Sequence, residues 1–256
     1  MNKDATAKAL KYGLIVFTHL LVIALWHFFV VVGEVRSFIM PTPLAALETL
    51  FGPDYSWMAN TWVTAREIFG GYFLGVTSGI FLALLFAWFR TANEVLMPLL
   101  ISLNMIPKVA LGPLFIVWFS YGIGSNILIS FSICFFPILL TTARGLREVE
   151  PELIDLVRAL RATRWQIFVK IQLPGSLPYI FSGMKVGAIL AVAGAIVGEF
   201  IASSRGLGYL MIQVQSTLDT AAMFMAVVLI TLVGVSLFLM VLLLEHLFVI
   251  PDSRVQ

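Results

Sequence analysis

Between residues 222 and 248 the chain is apolar almost without a break, and Glu245 is its only formally charged residue. A helix needs about 20 mostly apolar residues to cross a bilayer, and this stretch supplies them. Five others read the same way: residues 14–32, 68–89, 96–119, 126–143 and 177–200. Six spans leave little of the 256 residues over, so one membrane domain is expected across residues 1–256, with no folded extramembrane domain. Composition agrees: only 12% of residues are charged, against about 25% in soluble domains. A soluble domain and a disordered chain are both excluded. The net charge of +2 is too small to suggest nucleic acid as a partner.

The first apolar stretch is longer than the 7–15 residues of a signal-peptide core, and no small-x-small cleavage site follows it. It reads as a retained first helix. Cys134 is the single cysteine, and His19, His27 and His246 are scattered, so neither an internal disulfide nor a metal-ligand spacing is present. No catalytic motif is found, and no metal site is expected.

Basic residues in short loops mark the cytoplasmic side. With the N-terminus inside, Lys3, Lys8, Lys11, Arg90, Arg144, Arg147, Arg158, Arg161, Arg164, Lys170 and Arg254 all fall inside, while Arg36, Arg66 and Arg205 stay outside. Both termini are therefore expected to be cytoplasmic. The external segment 33–60 holds Met40-Pro41-Thr42-Pro43 and a short apolar-polar piece at 44–50, expected as an interfacial helix. A second external loop, 201–220, carries the turn-rich run Arg205-Gly206-Leu207-Gly208.

Small residues at four-residue spacing let membrane helices approach closely. The second span has Gly71, Gly75 and Gly79; the fifth has Gly183, Gly187, Ala191 and Ala195, with Gly194 and Gly198 alongside. Tight packing and a mobile interface both use such stripes. In the third span Pro107 is expected to kink the helix. Beside it, Asn104 and Lys108 are four apart on one face. A lysine at mid-membrane is costly: it either snorkels or pairs structurally, or lines a solvated path for a polar or anionic solute. Lys185 lies where it can snorkel. Glu199 ends the fifth span, positioned to cap or pair with Arg205 or Arg66, or to act as a gate.

The basic segment 144–173 contains an amphipathic helix at 151–165. Leu153, Leu156, Val157 and Leu160 share one face; Asp155, Arg158 and Arg161 occupy the other, with Trp165 near them. Such a helix rests on a membrane surface or inserts into a groove on a partner, and periodicity does not choose between these.

After it comes Ile171-Gln172-Leu173-Pro174, with Pro178 four residues further on. Here the chain resembles the inner-membrane permease subunits of binding-protein-dependent ABC importers. Their signature is Glu-Ala-Ala, three residues, Gly, nine residues, then Ile-x-Leu-Pro. Asp155-Leu156-Val157 stands at the Glu-Ala-Ala positions, Arg161 at the Gly, and Ile171, Leu173 and Pro174 complete the motif. Arg161 is the sharpest departure, because it removes the glycine. Pro107-Lys108-Val109-Ala110-Leu111-Gly112-Pro113 with Trp118-Phe119, Arg158-Ala159-Leu160 with Arg164-Trp165, and Gly198-Glu199-Phe200 with Gly206-Leu207-Gly208-Tyr209 look like the nitrate, sulfonate and taurine group.

The resemblance implies an all-α integral membrane fold of the MetI-like permease type, with about six transmembrane helices and a cytoplasmic coupling helix. Its core is at about 60–248 and its coupling loop at 144–173. It implies ATPase-coupling roles for Asp155, Leu156, Val157, Arg158, Leu160, Arg161, Ile171, Leu173 and Pro174. Asn104, Pro107, Lys108 and Glu199 are the candidates for the translocation path or gate. The implied partners are ATP-binding cassette ATPase subunits, a periplasmic or lipoprotein substrate-binding protein, the lipid bilayer and a second copy of the permease.

No cofactor is expected on this chain, which lacks a Gly-x-x-x-x-Gly-Lys-Ser/Thr loop; ATP and Mg would sit on the partner ATPase. The implied role is non-enzymatic: inward transport, across a bacterial inner membrane, of a small solute such as nitrate, a sulfonate or taurine. A pyrimidine, a thiamine precursor or riboflavin is the alternative solute. An ATP-independent secondary transporter or channel is the further rival.

Overall fold

A computed structural model describes residues 3–52, 55–149 and 151–249, and among these every regular element is helical. The C-terminal Arg254, counted above as cytoplasmic, lies outside the described residues, as do the side chains of Lys3, Lys8 and Arg90. The chain forms two compact units, Met1–Trp57 with Leu210–Leu229, and Met58–Tyr209 with Ile230–Gln256.

In the first unit, α1 (Lys3–Val32) is the retained first span, and it is exposed along most of its length. Trp26 Nε1 donates to the Pro41 carbonyl at 3.1 Å, and its ring meets Phe224 at 5.4 Å. The expected interfacial helix is α2 (Pro43–Glu48), followed by a single 3-10 turn, Thr49–Phe51. Thr42 starts it: its side chain accepts from Ala45 N at 3.2 Å, and Pro43 at the first helical position has no N–H to leave unpaired. Tyr55 donates to Asp219, and Thr220 donates to the Phe38 carbonyl at 2.6 Å, tying this connection to the start of the last helix.

The second unit is built around α6 (Ile123–Gly145), which lies between α3 (Trp57–Trp88) and α9 (Leu173–Ala202). Both glycine stripes face it. A β-carbon on Gly71 would sit 2.5 Å from Ser130 Cβ, and one on Gly75 the same distance from Cys134 Sγ. From the other side, a β-carbon on Gly183 would meet Thr141 Oγ1 at 2.0 Å, and one on Gly194 would meet Ser130 Cα at 2.7 Å. Helices this close exchange hydrogen bonds directly: Ser130 donates to the Ala191 carbonyl at 2.9 Å, and Tyr72 donates from α3 to Met184 of α9 at 3.1 Å. The core beside these contacts joins Ile68, Ile138, Phe181 and Ala188 to Leu237 and Val241 of α11 (Thr220–Phe248).

The third span differs from the expected single kinked helix. It is α4 (Arg90–Asn104) followed by α5 (Lys108–Phe119), bent by 94° between them. Pro107 explains the break. It has no N–H to donate back, and it drives the preceding residue out of the helical region.

The pair is one broken crossing and not a re-entrant loop. The end of α3 at Trp88 is held by Arg164 from the loop that follows α6, so α4 starts at that end of the unit. At the far end of α5, Ser125 of α6 donates to the Ser120 carbonyl. Among the described residues, five continuous helices and this broken pair are long and apolar enough to cross a membrane.

Candidate functional site

Three places hold the residues singled out above: the loop between α6 and α9, the break between α4 and α5, and a buried polar cluster where α9 ends.

The loop begins with α7 (Pro151–Ala159). It is shorter than the 151–165 helix expected, because the chain turns at Arg161. That residue has φ +61°, in the left-handed region that normally falls to glycine. Ala162 N donates to the Val157 carbonyl at 3.0 Å and Arg161 N to Arg158 at 2.9 Å, which closes the helix end. The signature glycine therefore has a physical reason here: a helix stop that needs positive φ. Arg161 keeps the turn without the glycine. Trp165 falls in a separate short helix, α8 (Arg164–Ile167), started by a capping box between Thr163 and Gln166.

The apolar face divides. Val157 is half-buried, and Ile154 lines a cavity of about 540 Å³ together with Phe86, Asn93, Arg147 and Arg158. Leu153, Leu156 and Leu160 point away, at 40%, 58% and 75% exposure. Asp155 and Arg158 face solvent as an ion pair at 3.3 Å, screened by water and adding little stability.

Behind α7 the loop is anchored by aromatic contacts. Arg164 lies 4.7 Å over the Trp88 ring and donates to the Trp88 carbonyl. Trp165 and Phe168 pack edge-on against the same ring, at 5.9 and 5.6 Å. The chain then runs through a π-helical turn, Phe168–Gln172, where Leu173 N bonds the Phe168 carbonyl five residues back. Pro174 accounts for it: with no N–H and a ring that crowds the carbonyl four residues earlier, it favours a wider turn just before it. So Ile171 sits in the π turn, while Leu173 and Pro174 open α9, with Leu173 against the core.

At the break, the Lys108 ammonium donates to the Asn104 backbone carbonyl and to Asn104 Oδ1 at 2.8 Å, and lies 4.8 Å from the Phe136 ring. Asn104 is the residue whose carbonyl the Lys108 N–H would have bonded in an unbroken helix. The side chain satisfies the carbonyl that the break leaves without its backbone partner.

Glu199 is buried, and its partners are not the arginines expected. Thr64 donates to Oε1 at 2.5 Å, and the backbone N–H groups of Gly208 and Tyr209, at the start of α10 (Leu207–Gln215), donate to the same carboxylate. Arg66 instead lies 5.1 Å over the Trp62 ring. Part of the external loop expected as turns is thus helical. The structure does not bring Glu199 together with Lys108, whose described partners are Asn104 and Phe136.

Glu67 and Asn126 complete this cluster, and neither was singled out from the sequence. A carboxylate in an apolar helix is itself a signal. The apolar run of the second span starts at residue 68, just past Glu67, whereas α3 begins at Trp57.

Among the described residues, the apolar helices and the helix-bearing loop between α6 and α9 define an integral membrane protein. Residues 75–249 match the family described as binding-protein-dependent transport system inner membrane component. The chain belongs to this family, the inner-membrane permeases of ABC importers.

It is 33% identical over 225 residues to a probable ABC transporter permease protein of Haemophilus influenzae, covering 88% of this chain and 92% of that one. It is 32% identical to the riboflavin transport system permease protein RibX of Chloroflexus aurantiacus, covering 91% of this chain and 87% of that one. The putative aliphatic sulfonates transport permease protein SsuC of Bacillus subtilis is 28% identical, covering 83% and 78%. Among solved structures, an inward-facing form of the MetNI methionine ABC transporter aligns with a TM-score of 0.56 at 22% identity. The alignment covers 72% of this chain and 94% of that one and supports the fold.

Proposed function

We propose that this chain is the membrane-embedded half of an ATP-driven importer and that α7 is the element receiving the ATPase stroke. The observation that carries the reading is the uncovered row Leu153, Leu156 and Leu160 on a helix whose opposite side is half-buried at Ile154 and Val157. An apolar face of this kind fits a groove on a partner protein. The rest of the loop is built to transmit force: Arg164, Trp165 and Phe168 grip the end of α3 at Trp88, and the π turn leads without interruption into α9.

Movement of α7 would then reach α3 and α9, which pack on α6 through their glycine stripes. In this reading the α7 end is cytoplasmic, as the concentration of basic residues there suggests, and both termini lie on that side. ATP and Mg belong to the ATPase subunits. A substrate-binding protein delivers the solute from outside, and a second copy of the permease completes the path.

The broken crossing is the proposed path-lining element. Non-helical backbone at membrane depth is tolerated where it is enclosed by protein or faces a solvated cavity, and Asn104, Pro107 and Lys108 occupy that break. Glu199 is proposed as part of a gate at the other end of α9. The solute is proposed to be a small organic anion of the sulfonate kind; similarity to a riboflavin permease favours a vitamin-type solute as the second reading. Binding by the partner substrate-binding protein to a panel of sulfonates, nitrate and vitamin precursors separates the two.

The coupling role is tested with Leu160→Glu in liposomes containing the assembled transporter. The variant is expected to insert normally and to hydrolyse ATP without driving uptake. Wild-type coupling by that variant would remove the docking role of α7.

A further inference from the structure

Where α9 ends, two carboxyl groups touch each other out of reach of water. Glu67 of α3 is 0% exposed and Glu199 of α9 is 1% exposed, and their side chains are in hydrogen-bonding contact. Two carboxylates in such contact repel at full strength in a dry site, so what each oxygen meets decides how the pair exists.

Glu199 is surrounded by donors. Thr64 donates to its Oε1, Gly208 N to its Oε2, and Tyr209 N to the same group. Three donors, two of them backbone amides at the start of a helix, suit a full negative charge. Glu67 is treated differently. Its Oε1 accepts from Asn126 Nδ2 at 2.8 Å, as a carbonyl oxygen would, while no donor among the described residues reaches its Oε2. A buried carboxylate oxygen with no donor is costly, and beside a second carboxylate it is costlier still. A proton on that oxygen removes both problems: Oε2 becomes a hydroxyl and donates to Glu199.

We infer that Glu67 is a proton-binding site, holding a proton on Oε2 that it donates to the Glu199 carboxylate. Along the junction of α3, α6, α9 and the start of α10 every carboxyl oxygen then has a partner, while Asn126 Oδ1 stays without one among the described residues. Asn126 donates to Glu67, Glu67 donates to Glu199, and Glu199 holds the amides of Gly208 and Tyr209. The turn feeding α10 is fixed by the same group: Leu207 N donates to Thr64 Oγ1 at 2.8 Å, and Gly206 N to Asn60 Oδ1 at 2.9 Å. Gly206, at φ +112°, leaves no space between turn and carboxylate, since a β-carbon there would lie 2.3 Å from Glu199 Cδ. The inference stands on this geometry alone and does not depend on the transport reading.

The assignment is asymmetric, and that makes it testable in the purified full-length chain. Gln at position 67 reproduces a protonated carboxyl group: its carbonyl accepts from Asn126 and its NH2 donates to Glu199. Glu67→Gln is therefore expected to melt within a few degrees of wild type. Gln at position 199 turns an NH2 group toward either Thr64 or Gly208, both donors, so Glu199→Gln is expected to melt well below Glu67→Gln.

Infrared difference spectra provide a second measurement that does not depend on stability. The protonated-carboxyl C=O band of the buried pair should be present in wild type and absent from Glu67→Gln. The reverse order of melting, or a carboxyl band that survives Glu67→Gln, would overturn the assignment. So would a wild-type melting temperature that rises specifically with sodium over choline, because a bound cation and not a proton would then join the pair.

Discussion

The Lys185 ammonium of α9 is held by both carboxylate oxygens of Glu245 of α11, at 2.9 and 3.0 Å. The pair is neither surface decoration nor fully dry: the two side chains are 30% and 25% exposed. It joins two helices that otherwise meet through apolar side chains such as Leu237 and Val241.

Removing one partner of such a pair strands the other charge at membrane depth, and that is worse than removing both. Lys185→Met is expected to cost about 1–3 kcal/mol, below the range for a fully buried pair because water still reaches it. The double variant Lys185→Met, Glu245→Gln should recover most of the loss. Thermal unfolding of the four proteins of a double-mutant cycle measures the coupling. Additive losses would show that the two groups act independently.

Arg161 gives a prediction of opposite sign. An L-residue in the left-handed region carries a penalty of about 1–2 kcal/mol that glycine escapes, offset in part by the greater freedom glycine loses on folding. At φ +61°, Arg161→Gly is therefore expected to stabilise the chain slightly, by up to about 1 kcal/mol. Arg161→Val, branched at Cβ, should destabilise the same turn. The comparison is a pair of melting curves against wild type. A glycine variant less stable than the arginine protein would mean that the guanidinium makes a contact stronger than the strain it imposes.

These two sites mark what the sequence could convey. Periodicity and length were enough for the apolar crossings, since each is a property of a contiguous segment. The small-residue stripes were legible too, although only the fold shows that Gly71 and Gly194 both face Ser130. A helix break is weakly encoded. Pro107 announced a kink, but the 94° bend depends on what packs around it, including Lys108 reaching back to Asn104.

Long-range polar partnerships were not legible at all. Lys185 read as a snorkelling residue because its partner lies sixty positions away. The sequence offers Glu199 Arg66 and Arg205, while its partners come from Thr64, Glu67 and the start of α10. Charge alone does not say which buried group will face it. The split of the α7 face is a similar case: periodicity put Leu153, Leu156, Val157 and Leu160 together, and packing then tucked Val157 in and left the leucines out.

The closeness of the three central helices sets the last prediction. A β-carbon at Gly194 would lie 2.7 Å from Ser130 Cα and 3.4 Å from Ser130 N, so the obstacle is backbone, which no rotamer change removes. Gly194→Ala must push α9 away from α6, stretching the 2.9 Å bond from Ser130 to the Ala191 carbonyl. Overpacking of this kind costs about 1–3 kcal/mol. Gly124, at the start of α6, has nothing within 4 Å of its would-be β-carbon. There alanine replaces a poor helix former with the best one, so Gly124→Ala should be neutral or stabilising by a few tenths of a kcal/mol, up to about 1 kcal/mol. Melting temperatures of the two variants, measured side by side in the same detergent, check the contrast. Equal effects at the two positions would mean that α6 and α9 have slack between them, and that the glycine stripe does not enforce their contact.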